Sequence, residues 1–334
     1  MTPALQALVT VGFGVGGCIL YFWLSNIFLD KVLFPARGPQ AGRNINRANM
    51  IRPWLFLMPA LVALGVYLAY PVFATFWLSL HKTTGTTTEF VGLANYSQMM
   101  SEGKFWESMR NNMLWLIVVP AASTAFGLLA AQLTDRLRWG NLAKSLIFMP
   151  MAISFVGASV IWKLIYDTRP AGQEQIGILN AIYLALGGDA PQQWLQIPFW
   201  NNFFLMAVLV WIQAGFAMVI LSAALRSIPE ETIEAAILDG AGPFQIFFKI
   251  KVPQIMGTIV VVWTTITITV LKVFDIVLAM TNGQWETQVL ANYMYDKFFR
   301  AFDVGVGSAA AMIIMLLVTP ILVWNVYNAR REMR

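Results

Sequence analysis

Apolar residues in this chain gather into long runs, not into the strict alternation of a half-buried strand or the interrupted stripe of a surface helix. Seven runs stand out, at roughly 8–29, 54–80, 113–133, 145–166, 201–225, 257–280 and 304–327. Each reaches the ~20 residues that a helix needs to cross the hydrocarbon core of a bilayer. Lipid offers no partner to a free backbone N–H or C=O, so each run is expected to be helical. The ~10-residue alternating segments of a membrane β-barrel are missing. The pattern predicts an all-α fold, a polytopic membrane bundle of seven transmembrane helices.

The polar intervals organise this bundle. The basic connector "DKVLFPARGPQAGRNINRANMIRP" follows the first run, so residues 1–52 read as an anchor helix with its connector and 53–334 as the functional core. No internal repeat is visible, so the repeat signature of many secondary transporters is not supported. Beyond the second interval, 81–111, which is polar with interspersed aromatics, the interval 167–199 holds "IGILNAIYLALGG". Its Ile178, Leu179, Ile182, Tyr183 and Leu186 fit one face of a short helix ending at Gly187, either a lid packed on neighbouring spans or a helix lying on the membrane surface.

The interval between the fifth and sixth runs is the most structured: "IPEETIEAAILDGAGPFQIFFKIKVPQ", residues 228–254. Its charges and prolines keep it out of the bilayer. Ser227 with Glu230 is a capping-box pattern, Pro229 suits a first turn, and Glu230 and Glu231 lie where the helix dipole favours negative charge. A helix is expected from Ser227 to about Asp239, closed by Gly240, with Gly242-Pro243 preventing continuation. A second helix over 244–250 then presents Phe244, Phe247 and Phe248 ahead of Pro253. Two short helices at a glycine elbow make a rigid knob, which either docks on another protein or lies against the underside of its own bundle.

Composition agrees with a membrane protein: 58% hydrophobic and 12% charged residues and a mean hydropathy of +0.64 against ~25% charged in soluble domains. The net charge of +5 is spread over the intervals rather than collected in one patch, which argues against nucleic acid. Fourteen of the 22 Lys and Arg fall in the alternate intervals 31–52, 134–144, 226–256 and the tail after 328, six fall in the opposite ones, and Lys163 and Lys272 lie inside runs. The positive-inside rule then puts the N-terminus outside, and the knob and the C-terminus in the cytoplasm. The uncharged start and long first run predict a retained anchor instead of a cleaved signal. Cys18 is alone and carries no intrachain disulfide. His81 is the single histidine, and no acid, histidine and cysteine cluster marks a metal site. Gly12 to Gly17 match G-x-G-x-x-G formally, but inside an apolar run; glycines that let helices approach closely are the better reading.

Glu234-Ala235-Ala236, then Gly240 after three residues, then Ile250 and Val252-Pro253 resemble the EAA signature of permease subunits of binding-protein-dependent ATP-binding-cassette importers. Val252 stands where leucine is usual, a change that barely alters volume or polarity. "FVGLANYSQMM" and "FWESMRNN" resemble the outer loop of the carbohydrate branch of that family, as does "IGILNAIYLALGG" with Trp194-Leu195. The resemblance covers about 53–328; the extra N-terminal span is most like the α-glucoside permeases of the maltose type. It implies the type I importer permease fold, a bacterial cytoplasmic (inner) membrane location, and a coupling loop at 227–253 seated in a cleft of a cytoplasmic ATPase dimer. It also implies a second, different permease subunit, an external solute-binding protein, and sugar as cargo. Glu234 is then the charged contact to the ATPase, Ala235 and Ala236 allow close approach, Gly240 is the elbow, and Asp239, Phe244 and Phe248 complete the docking surface. The chain has no phosphate-binding loop, so it is no enzyme and holds no cofactor; ATP and Mg belong to the partner.

Neutral sugar is recognised by hydroxyl-matching groups and aromatic faces, which directs attention to the fifth and sixth runs: Trp211, Gln213, Phe216, Thr265 and Thr269. Threonines in a span also bond back to their own helix, whereas a buried Gln213 amide cannot satisfy itself that way. Lys272 and Asp275 fit an intrahelical ion pair, with a proton relay as the sharper reading; Lys163 is expected to snorkel to the surface. Asn95-Tyr96-Ser97 matches a glycosylation acceptor but carries no weight in a bacterial-type transporter. The rival to an ATP-driven permease is a secondary transporter or channel for a small polar solute.

Overall fold

The computed structural model describes residues 2–85, 87–135 and 137–332. Arg136 and Arg334, counted in the charge asymmetry, lie outside the described residues, as do the side chains of Arg330 and Arg331. By its contacts the chain forms two compact units, Met1–Ala74 and Thr75–Arg334. This division falls later than the 52/53 boundary that hydropathy sets, inside the second apolar run.

In the first unit, α1 (Pro3–Leu33) starts with proline at its first turn and ends as a π-helical turn. Helix α2 (Ala41–Ser79) begins in this unit and carries Pro53 and Pro59, with a π segment over Gly65–Ala69. The Tyr21 hydroxyl donates to the Leu55 carbonyl at 2.9 Å. The close packing expected at Gly12, Gly14, Gly16 and Gly17 is not found, because a Cβ at any of them would meet nothing within 4 Å. Cys18 is free and exposed.

The second unit opens with a hairpin that the apolar pattern does not reveal, β1 (His81–Thr84) paired antiparallel with β2 (Thr87–Phe90). Then come α3 (Ala94–Ser101), α4 (Gly103–Thr134), α5 (Gly140–Ala152), α6 (Phe155–Ile165), α7 (Ile178–Ala185) and α8 (Trp200–Arg226). The chain ends with α9 (Glu230–Leu238), α10 (Pro243–Gln254), α11 (Met256–Leu271), α12 (Asp275–Met280), α13 (Leu290–Tyr295) and α14 (Val304–Glu332). Among the described residues five helices are long and apolar enough to cross a membrane, and two bent pairs bring the number to seven. The fourth expected span bends by 106° between α5 and α6. Pro150 tightens the end of α5 into a 3₁₀ turn, and Ser154 starts α6 afresh, its Oγ accepting from Gly157 N–H at 3.1 Å. Just ahead of the sixth expected span, α10 meets α11 at a 71° bend at Ile255, and within that span the helix breaks between α11 and α12.

Helices α4 and α8 form the spine of the unit. They cross closely because Gly127 has no side chain; a Cβ there would come within 2.4 Å of Ala217 Cβ. At Gly215 the same helix α8 touches α5, where a Cβ would sit 2.5 Å from the Ile147 carbonyl. Around this spine Trp115, Val119, Met206, Leu209, Met218 and Leu221 are buried. A second buried cluster gathers Met99, Phe105, Leu290, Tyr293, Val306 and Ala309.

Two local expectations are corrected. Lys272 caps the end of α11 while Asp275 opens α12, so a break in the helix separates them and no ion pair forms. In α7, Leu179 and Tyr183 pack inward, Tyr183 edge-on to Trp194 at 5.6 Å, but Ile178, Ile182 and Leu186 are exposed, so the apolar positions split between two faces.

Candidate functional site: the knob and the opposite end of the bundle

The knob forms as two helices with an elbow. Helix α9 starts at Glu230, not Ser227: Pro229 takes the capping position and the Ser227 hydroxyl turns back to the Ala224 carbonyl at 2.8 Å, so the capping box is absent. Its C-terminus closes through Gly240, whose φ of +81° lets Gly240 N–H reach the Ile237 carbonyl (3.0 Å) and Ala241 N–H reach that of Ala236 (2.9 Å). This double bond is a Schellman turn, and glycine meets its left-handed backbone without steric cost. Gln245 Oε1 then accepts from Gly242 N–H at 3.1 Å, and α10 runs past Pro253 to Gln254, longer than the expected 244–250.

Of the seven residues assigned to docking, only Ala236 is buried. Phe244 is 80% and Phe248 62% exposed, beside Leu238 at 88%. Glu234, Ala235, Asp239 and Gly240 are exposed as well. The knob therefore presents apolar rings and the carboxylates of Glu234 and Asp239 outward, a surface that monomers seldom leave uncovered. Behind it, Glu234 lines a cleft of about 550 Å³ with Gln132, Asp135, Arg226 and Lys251, where Lys251 Nζ donates to Gln132 Oε1 at 3.2 Å.

Asp135, at the end of α4, ties the base of the knob to the bundle. It pairs with Lys144, accepts from Ser222 Oγ at 3.0 Å, and is bridged by Arg226 at 3.0 Å. Burial alone would raise its pKa; hydrogen bonds from Lys144, Ser222 and Arg226, with the Lys144 charge, outweigh that and hold the carboxyl below its ordinary value.

The residues assigned to the pathway are less connected. Trp211 stands edge-on to Trp162 at 5.8 Å and lines an apolar hollow of about 570 Å³, and Phe216 packs on the core. Thr265 and Thr269 donate to the Val261 and Thr265 carbonyls at 2.8 and 3.2 Å, so both follow the helix-bonding alternative. Gln213 is half-buried, and its side chain has no hydrogen bond within the described residues. No described hydrogen bond joins Gln213 to either threonine.

At the end of α8 away from the knob, sequence reasoning missed a network of buried amides around the loop 281–289. Asn111 donates to the carbonyls of Glu286 and Gln288, both at 2.8 Å. Asn112 accepts from Leu290 N–H at 2.8 Å, Asn202 donates to Glu286 O at 3.3 Å, and Asn201 donates to Trp285 O. These four side chains are at most 2% exposed. They hold a loop in which Asn282, Trp285 and Glu286 have positive φ, a strained arrangement for non-glycine residues. The only signal in the sequence is paired asparagines at the ends of two apolar runs. Nearby, the Asn95 side chain is buried, donating to Ser79 O and His81 O at 2.8 and 2.9 Å, which explains it as structural. His81 stacks on Trp77 at 4.2 Å, and no metal-holding group occurs among the described residues.

A bundle of bent and broken spans carrying an exposed two-helix knob is the architecture of an importer's membrane subunit. Residues 123–334 match the family described as "Binding-protein-dependent transport system inner membrane component", and the chain belongs to that family. It is an ATP-binding-cassette importer permease in the inner membrane, working with an ATPase and a solute-binding protein, and hydrolyses no ATP itself. The chain is 64% identical, over 99% of both chains, to the alpha-glucoside transport system permease protein AglF of Rhizobium meliloti (strain 1021). It is 47% identical, over 84% of its length and 100% of the relative, to the osmoprotective compounds uptake permease protein GgtC of Synechocystis sp.. Its fold matches a chain of the bacterial alginate ABC transporter crystallised with its alginate pentasaccharide-bound periplasmic protein, with a TM-score of 0.71 at 19% identity, over 88% of this chain and 99% of that one. Family membership sets aside the secondary transporter and the channel.

Proposed function

We propose that this permease carries a neutral sugar, an α-glucoside or a related di- or oligosaccharide, with its N-terminus outside and its C-terminus in the cytoplasm. Residues 53–334 are the working core and 1–52 a peripheral anchor. The core pairs with a second, different permease subunit, and the ATPase dimer holds ATP and Mg. Closure of that dimer moves the knob through Glu234, Ala235, Ala236, Asp239, Gly240, Phe244 and Phe248. The cargo passes Trp211, Gln213 and Phe216, with Thr265 and Thr269 on the facing span.

The observation that carries the reading is the exposed, Schellman-jointed knob, rigid in itself and apolar outside. The 64% identity to an alpha-glucoside permease supports the cargo, and the excess of basic residues in alternate intervals supports the orientation. A carboxylate meeting a cation at a partly desolvated interface contributes on the order of a few kcal/mol. Glu234→Lys and Gly240→Pro, in the full transporter reconstituted in liposomes, should leave the chain inserted while lowering α-glucoside uptake per ATP hydrolysed by about tenfold or more. Full coupled uptake by either variant would refute the docking role; a native assembly that hydrolyses ATP for glycine betaine but never for maltose or sucrose would refute the cargo.

A further inference from the structure

We infer that the pocket between the end of α6 and the loops 192–196 and 281–289 is a separate carbohydrate-capture subsite at the mouth of the pathway, taking one or two pyranose rings of a neutral sugar. This inference rests on the sugar reading above and adds a site away from the residues assigned to the pathway. The pocket holds about 390 Å³, within the ~300–1,000 Å³ of small-ligand sites. Its lining alternates rings with polar groups: Tyr166, Trp194 and Trp285 against Lys163, Asp167, Gln193 and Gln196.

The walls are held in place before any ligand arrives. Asn180 is fully buried and donates to Asp167 O, Thr168 Oγ1 and Gln192 O, each at 3.0 Å, while accepting from Gln192 N–H at 2.8 Å. This locks the segment after α6 to the segment before Trp194. Trp194 stands edge-on between Tyr183 (5.6 Å) and Phe204 (5.4 Å), and the Tyr166 hydroxyl donates to the Phe204 carbonyl at 3.0 Å. Trp285 is fixed from behind through Asn201 and has a positive φ of 54°. Backbone strain of this kind, held by buried amides, is characteristic of ligand clamps.

The polar groups facing the cavity are uncommitted. Among the described residues the side chains of Lys163, Asp167, Gln193 and Gln196 have no hydrogen-bond or ion-pair partner, whereas those of Tyr166, Thr168 and Asn180, which shape the wall, each have one. Lys163 is exposed, as its place in the sequence led us to expect, and it also lines this cavity with Asp167. One ammonium, one carboxylate and two amides give donors and acceptors with no net charge, which suits ring hydroxyls and disfavours ions. Rigid aromatic faces beside them match the apolar faces of a pyranose.

The test is saturation-transfer NMR on the native chain in nanodiscs with maltose and sucrose as probes and glycine betaine as the control. Saturation should reach the sugar ring protons but not betaine. Trp285→Ala and, separately, the exposed Gln196→Ala should each weaken the apparent affinity by roughly fivefold or more, the loss of one ring or hydrogen-bond contact. Gln196→Ala removes no structural bond, so it reports even if Trp285→Ala fails to fold. Sugar signals that survive both substitutions, or that are missing from the native chain, overturn the subsite. Coupled α-glucoside uptake by the native assembly is measured in parallel: uptake without a subsite signal refutes only this inference, and a subsite signal without uptake refutes only the transport reading.

Discussion

The knob and the loop 281–289 sit at opposite ends of α8 and are stabilised in opposite ways. The knob is held by bonds between residues a few positions apart: Gly240 to Ile237, Ala241 to Ala236, Gly242 to Gln245. It buries little and leaves Leu238, Phe244 and Phe248 outside. The loop 281–289 is strained in its backbone and held by asparagines from two other helices. A segment that completes itself locally and exposes rings is ready to be covered by another chain. One that needs buried amides from its own bundle is positioned by that bundle, and its accuracy depends on it.

This contrast can be broken most forcefully at Asn111. Asn111→Ala strands the Gln288 carbonyl and leaves that of Glu286 only the longer bond from Asn202, so the unfolding free energy should fall by ~1–3 kcal/mol, read from thermal unfolding in detergent. A fall under 1 kcal/mol would show that the loop holds its own shape.

A smaller effect is expected at the base of the knob. The folded-state pKa of Asp135 is lowered, so the stability it supplies is present above its ordinary value of 3.8 and disappears as pH falls through the lower, folded value. Native chain should lose midpoint temperature over that acid range, and Asp135→Asn should lose less; parallel curves would remove Asp135 as the tie.

Gly240→Ala should cost ~1 kcal/mol, from the left-handed backbone alone, since a Cβ there meets nothing within 4 Å. Smallest of all, Phe244→Ala should change the stability of the isolated chain by under ~0.5 kcal/mol while weakening its hold on the ATPase in a pull-down. A large loss of stability from Phe244→Ala would mean that the ring packs on its own bundle.

The same contrast explains what was legible in the sequence. Helix stops at Gly240 and Pro243 are local, so the elbow is readable, although the start of α9 shifts because Pro229 outcompetes Ser227 as its cap. Long apolar runs locate the spans, but not the 106° bend at Pro150–Ser154, since hydropathy averages over a break of a few residues. The break at Lys272–Phe274 undid the expected ion pair with Asp275 for the same reason. The pairs Asn111-Asn112 and Asn201-Asn202 show in the sequence only as paired asparagines at the ends of two apolar runs, because their partners lie far along the chain and only the packing of α4 against α8 brings them together. The pocket beside Trp285 was hidden likewise, assembled from three separated segments.

Hydrogen exchange across the knob, with and without the ATPase subunits, tests the central claim most directly. The account predicts that amides of residues 230–254 exchange slowly only in the assembled transporter, with the largest gain in protection between Ile237 and Phe248 and little change in 281–289. Equal exchange in the free and assembled chain would contradict it.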